Sequence, residues 1–225
     1  MRVLPILFNT ELVRAILDGR KTVTRRLVKP QPTYSPCDGF TWKGVAYGTD
    51  LPPTIKGAAY NFRYNAPYQP GDILWVQETW KIHDVLNEIS MKFEYRADGN
   101  ISELIDFIAE RMAKFRKYAK KNGWQSPYFM PKEAARIWLK VKDVRVERLQ
   151  EITEEEAEKE GCQAGSYEYK GAVWGQEDTD EWTAIEDFVN VWNSTIKKSD
   201  FDRYGWDANP WVWVIEFERC DKPEE

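Results

Sequence analysis

The chain has 225 residues and a formal net charge of −5, with 42% hydrophobic and 31% charged side chains. That balance excludes wholesale disorder and suits one large globular domain, or a small one carrying insertions. Aromatic residues make up 14%, with 11 Trp, so the indoles either fill a core or build a surface that stacks on flat ligands. No apolar run approaches the ~20 residues that span a bilayer. Residues 3–8 are apolar but too few for a signal peptide, and no small-residue cleavage site follows. A cytoplasmic protein with no membrane partner is expected. Cys37, Cys162 and Cys220 lie far apart without a Cys-x-x-Cys pair, and His83 is the sole histidine. Neither a disulfide framework, a zinc ribbon nor a Ser-His-Asp triad is encoded, and no metal or cofactor is expected. Acid–base chemistry must rest on Lys, Glu, Asp, Tyr or Thr.

Asn9 or Thr10 is placed to cap a helix whose apolar face is Leu12, Val13, Ile16 and Leu17, and Gly19 to stop it. The following Arg20-Lys21-Thr22-Val23-Thr24-Arg25-Arg26 is polar and β-prone. Prolines 30, 32, 36, 52, 53, 67 and 70 forbid a long regular element, so about 30–68 reads as an irregular insertion. Pro70-Gly71-Asp72 is a turn before a buried strand, Ile73-Leu74-Trp75-Val76. Apolar residues from Ile101 to Tyr118 recur at three or four, predicting an amphipathic helix over 101–121 inside a second insertion of about 81–130. Ile137, Leu139 and Val141 alternate with polar neighbours, and the phase then slips to Val144 and Val146, as a bulge would cause. Thr153-Glu154-Glu155-Glu156 is a capping box for a short acidic helix ending at Gly161. A further helix carries Ala184, Ile185, Phe188, Val191 and Trp192 on one side. Residues 211–217 alternate as a strand with an aromatic face. Strands at both ends with few, short helices between them predict a small mixed or antiparallel β-barrel, helices and loops inserted. No Gly-x-Gly-x-x-Gly or Walker loop occurs.

Arg20, Lys21, Arg25, Arg26 and Lys29 place five cations in ten residues with no acid among them. Phosphate is the usual partner of such a cluster, although a solvated strand edge protected by charge has the same composition. A basic mouth on an acidic body suits a small nucleotide or a short single strand better than a duplex. Lys21 beside other cations loses proton affinity and can serve as a base, and Thr24 beside such a base can become a nucleophile. Residues three apart on a regular strand face opposite sides, so the pair meets only if the chain turns at Lys21-Thr22. Glu160 ends the acidic helix, where the dipole disfavours an anion, and Lys21 could supply the compensating cation. Without such a partner it is an exposed, salt-screened acid. Glu78, ending a buried strand, could accept from a base's exocyclic amine or pair with an arginine. Trp211 and Trp213 are assigned to the core. Trp80, Trp206 and aromatics of the first insertion, among them Tyr34, Phe40, Tyr60, Phe62 and Tyr64, either pin that loop or form a stacking rim.

Three of these segments, taken in order, resemble the ASCH-domain family: Gly19–Arg26 after a helix, Pro70–Trp80, and Ile152–Gly161. The likeness is to its long phage and prophage members and covers roughly residues 4–30, 68–80, 134–162 and 184–218. It implies a single PUA-like barrel domain over residues 1–225, with peripheral helices and the two insertions. It also implies RNA or a nucleoside or nucleotide as ligand. One small bacterial member is an N4-acetylcytidine amidohydrolase; its proposed lysine, threonine and glutamate fall on Lys21, Thr24 and Glu160, and its strand arginine on Arg26. Arg20, Arg25, Glu78 and Trp80 join as expected substrate contacts. Other members are ribonucleases or plain RNA binders, so a non-catalytic reader of single-stranded RNA is the alternative.

Overall fold

The computed structural model describes residues 1–48, 55–119, 123–168 and 179–224. Strand β1 (Val3–Leu7) leads into helix α1 (Thr10–Leu17). The Leu12 N–H donates to Asn9 Oδ1 at 2.8 Å, and Gly19, at φ 77°, takes the left-handed position past the helix end. Then come β2 (Val23–Leu27), the short β3 (Thr33–Ser35), β4 (Gly39–Trp42) and β5 (Val45–Tyr47), and α2 (Ile55–Phe62). After the Pro70–Gly71 turn, β6 (Ile73–Gln77) is followed by β7 (Trp80–Val85), β8 (Ser90–Tyr95), β9 (Ile105–Asp106) and α3 (Ala109–Ala119). The long β10 (Trp138–Arg148) precedes α4 (Glu154–Lys159), the ribbon β11 (Gly165–Glu168) and β12 (Thr179–Trp182), α5 (Ala184–Thr195), α6 (Phe201–Tyr204) and β13 (Trp211–Cys220).

The described residues fall into two compact units. The first comprises 1–19, 70–141 and 217–225. Here β1 pairs parallel with β6, and β6 pairs antiparallel with the start of β10. Its core gathers Trp80, Met91, Phe93, Tyr95, Phe107 and Met112 beneath the β7-β8-β9 ribbon. The second unit comprises 20–69 and 142–216. There the strand order is β10-β13-β2, with Trp213 opposite Arg26 and Ile215 opposite Thr24. Both α4 and α5 pack on it through Ala157, Phe188 and Trp192. The fold is mixed α+β and strand-rich, with several sheets.

Three expectations need correction. No sheet of the described residues closes into a barrel, because β3 to β5, β7 to β9, and β11 with β12 form separate short ribbons. Only 109–119 of the expected 101–121 helix is helical; Lys120 and Lys121 lie outside the described residues. Ile101 bridges Glu94 and Ile105 pairs with Met91, so β-branched residues spaced by three and four serve an edge strand instead. Finally, β13 is buried on both faces from Trp211 to Ile215 and alternates only beyond.

Other expectations hold. Leu139 and Val141 are buried, then Val144 and Val146, so the buried set of β10 changes parity across Lys142–Asp143. In the 30–68 insertion no described element exceeds eight residues; Pro52 and Pro53 lie outside the described residues. Its Phe40 and Phe62 are fully buried, stacked at 4.9 Å, and rest on Trp211 (4.7 Å, edge-on) and Trp213 (5.0 Å, stacked). Each such phenylalanine contributes about 2 kcal/mol of burial, which pins the proline-rich loop.

Candidate functional site

The site grows from the C-terminal end of α4, all within the second unit. That helix starts at Thr153, whose hydroxyl accepts from the Glu156 N–H, and ends at Glu160 with Gly161 at φ 94°. A helix end leaves carbonyls without intrahelical donors, and its dipole favours a cation. Segment 20–22 supplies both. The Thr22 N–H donates to the Lys159 carbonyl (2.9 Å), Arg20 Nη1 to the Gly161 carbonyl (3.1 Å), and Lys21 Nζ to the Glu160 carbonyl (2.7 Å).

The Lys21 side chain is 0% exposed. A buried ammonium is tenable only when its protons are all received, and here three acceptors receive them: the carbonyls of Glu160 and Val23, both at 2.7 Å, and Glu160 Oε2 at 2.6 Å. Burial lowers the proton affinity of Lys21 below the usual lysine range; the Glu160 carboxylate opposes that, and Arg26 adds to it. The Val23 carbonyl belongs to the peptide bond that leads into Thr24. Lys21 precedes β2 and its side chain runs forward to the Val23 carbonyl, so the strand parity that separates residues three apart does not apply.

Parity within β2 sorts the rest. Thr24 and Arg26 share the face that carries Ile215 and Trp213 across the ladder, whereas Val23 and Arg25 face the helices. Thr24 is buried. Arg26 is half-buried; burial draws its guanidinium down from the usual range, against the pull of Tyr68 and Glu160. Arg25, fully buried, bonds Glu156 Oε2 at 2.6 Å and reaches Glu160 Oε1 at 3.4 Å, with Glu147 at 3.6 Å. Glu156 in turn holds Arg145. A line of alternating charge thus runs Lys21–Glu160–Arg25–Glu156–Arg145. Beside it, burial pushes the Cys162 thiol up to about 12, keeping it neutral. A polar hollow of about 510 Å³ opens at the same helix end, lined by Arg20, Glu155, Glu158, Lys159, Cys162 and Gln163.

The structure therefore brings Lys21, Glu160 and Arg25 into contact, holds Thr24 one peptide on, and keeps Arg26 within electrostatic reach. Glu78 and Trp80 belong to the first unit. Glu78 is buried and receives Arg136 through both oxygens at 2.9 Å, and Arg136 also bonds Asp98 at 2.7 Å. Trp80 is 0% exposed, with Phe93, Phe115 and Tyr118 around its ring, which leaves no face open to a stacked base. Two features escaped the sequence reading. Arg136 had no local signal as the partner of Glu78. Residues 111–121 hold six cations in eleven positions, denser than the 20–29 cluster, and a charge count would have found them.

Among the described residues no group of His, Cys, Asp and Glu gathers that could hold a metal ion, and no helix is long and apolar enough to cross a membrane. No family model matches the chain, nor does any curated protein or solved structure.

Proposed function

We propose that the second unit carries a polar pocket of PUA-like (ASCH) type for a nucleoside or a single-stranded RNA base, and that it hydrolyses an amide such as that of N4-acetylcytidine. The observation that carries this reading is the buried Lys21–Glu160 pair at 2.6 Å, one peptide from the buried Thr24. Thr24 Oγ attacks the acyl carbon and its proton passes to the neutral amine of Lys21. The C–N bond then breaks, Lys21 returns the proton to the leaving exocyclic amine, and water hydrolyses the acyl-threonine to release the acid. Glu160 orients the lysine. Arg26, rather than Arg25, faces the developing oxyanion, since Arg26 shares Thr24's side of β2 while Arg25 is held by Glu156.

Purified protein is expected to release cytidine and acetate from N4-acetylcytidine, and Lys21→Ala to lose at least about a thousandfold in kcat/KM, as removal of a base from a nucleophile does. No turnover by a folded wild-type protein would remove the enzymatic reading. One observation favours a second reading, a non-catalytic RNA or modified-base binder. All three Lys21 protons are already received by acceptors, the coordination of a structural ammonium. In that case single-stranded RNA binds without turnover, and Arg26→Ala weakens it.

A further inference from the structure

We infer that the 81–130 insertion of the first unit is a single-stranded nucleic-acid binding surface, in which exposed cations of α3 take the phosphates and the aromatics of the loop after it take the bases. The inference stands on residues outside the Lys21 site and does not depend on that reading.

The charge is the first observation. From Arg111 to Lys132 there is no acid, and six cations lie between Arg111 and Lys121 on a chain of net charge −5. Lys120 and Lys121 lie outside the described residues, so the geometry rests on the others. Helix α3 turns Met112, Phe115 and Tyr118 toward the core around Trp80. That leaves Lys114, Arg116 and Lys117 exposed, and none of the three pairs with a carboxylate among the described residues. Arg111 differs, being tied to Glu133 at 2.7 Å. A helix meant only to cover a core would carry balancing acids on its outer face, and this one carries one acid, Glu110, in its first turn.

The second observation is aromatic. Tyr128 is 72% exposed, Phe129 50% and Trp124 39%, outside the core cluster of this unit. Hydrogen bonds to the loop's main chain hold them in place: the Gln125 N–H donates to the Trp80 carbonyl at 2.6 Å, and Gln77 Nε2 to the Tyr128 carbonyl at 3.2 Å. One run of contacts also joins a cation of α3 to the exposed rings. Lys117 Nζ lies 4.9 Å from the Tyr118 ring, which lies 6.2 Å from Phe129, which meets Tyr128 edge-on at 5.3 Å. Lys81 Nζ sits 4.7 Å from the Trp124 ring while Glu94 also holds it at 2.9 Å. Ring faces beside the unpaired cations of α3 match what an unpaired strand presents, flat bases on a charged backbone. A duplex hides its bases and gives the rings nothing to stack on.

Fluorescence anisotropy with labelled dodecamers of uridine, of deoxythymidine, and of a matched duplex tests this on the full chain. Single strands are expected to bind and the duplex at least about tenfold more weakly. The triple variant Lys114→Gln, Arg116→Gln, Lys117→Gln should reduce the slope of log K against log salt by about 2, near 0.7 for each of three phosphates. Tyr128→Ala with Phe129→Ala should weaken binding about tenfold or more while leaving that slope unchanged. These positions are exposed, so far-UV circular dichroism should match wild type. Excess N4-acetylcytidine should not displace the bound strand, which separates this surface from the proposed pocket. Equal affinity of both variants and wild type, or a preference for duplex, would overturn the assignment. A preference for uridine over deoxythymidine would name RNA as the strand.

Discussion

Each unit buries a charged cluster, and the two are built on different principles. In the first unit Glu78 and Arg136 meet fork to fork, Asp98 takes the remaining side of the guanidinium, and Arg136 lies 4.1 Å from the Tyr95 ring. Every partner of Arg136 there is a carboxylate side chain, and both Glu78 oxygens are taken. In the second unit Lys21 is held largely by main-chain carbonyls, one of them at a helix end, Arg25 spans three glutamates, and Arg25 Nε is buried with no hydrogen-bond partner among the described residues. A closed, matched pair braces a fold and has nothing left for a ligand. An unevenly matched line beside a buried hydroxyl and a half-buried arginine is what the proposed pocket would draw on.

The largest effect should come from opening the brace. Arg136→Leu leaves Glu78 buried and uncompensated, at a cost of about 3–5 kcal/mol, and Glu78→Gln in that background should recover most of it. Chemical denaturation of the two variants measures both steps. Lys21→Met should cost about 3 kcal/mol, the low end for a broken buried pair, because Arg25 still faces Glu160. Were Lys21→Met the costlier change, the contrast between brace and site would fail.

The pH dependence sharpens the same contrast, with opposite signs. Burial raises the Glu78 carboxyl above 4.5, against the pull of Arg136. The native state then holds a proton that the unfolded chain has released, so Glu78's contribution is full below 4.5 and is lost as pH rises through the native value. Burial lowers Lys21 below 10.5. There the unfolded chain holds the extra proton, so stability rises with pH between the native value and 10.5. Melting temperatures against pH should lose the fall above pH 4.5 in Glu78→Gln and the rise toward pH 10.5 in Lys21→Met.

What the sequence made legible were features settled within a few residues: Asn9 and Gly19 bounding α1, Thr153 and Gly161 bounding α4, the strand after Gly71, the slip in β10. The meeting of Lys21 with Glu160 was also readable, since an anion at a helix end needs a cation and Lys21 lies just past a helix-stop glycine. What stayed hidden depends on distant partners. Ile101 and Ile105 have helical spacing but take an edge of β8, which no local pattern records. Trp80 gives no sign that Phe93, Phe115 and Tyr118 will enclose it. Arg25 and Arg26 are chemically alike in the sequence; only the ladder with β13 sends one to the helices and the other to Thr24's side.

The smallest effect probes the wall of the second cluster without touching its charges. Cys162 is buried and its thiol held near 12, whereas Cys37 is exposed. A thiolate is the reactive form, so at pH 8 a disulfide reagent should titrate Cys37 quickly and Cys162 only as the protein opens. In Lys21→Met the nearby ammonium that favours the Cys162 thiolate is gone, which shifts the thiol further up. Any faster labelling of Cys162 in that variant must then come from easier opening of the α4 end, and its rate reads the local stability that the buried lysine provides. Labelling of Cys162 as fast as Cys37 in the wild-type protein would mean that the helix end is open to solvent and the cluster is not buried at all.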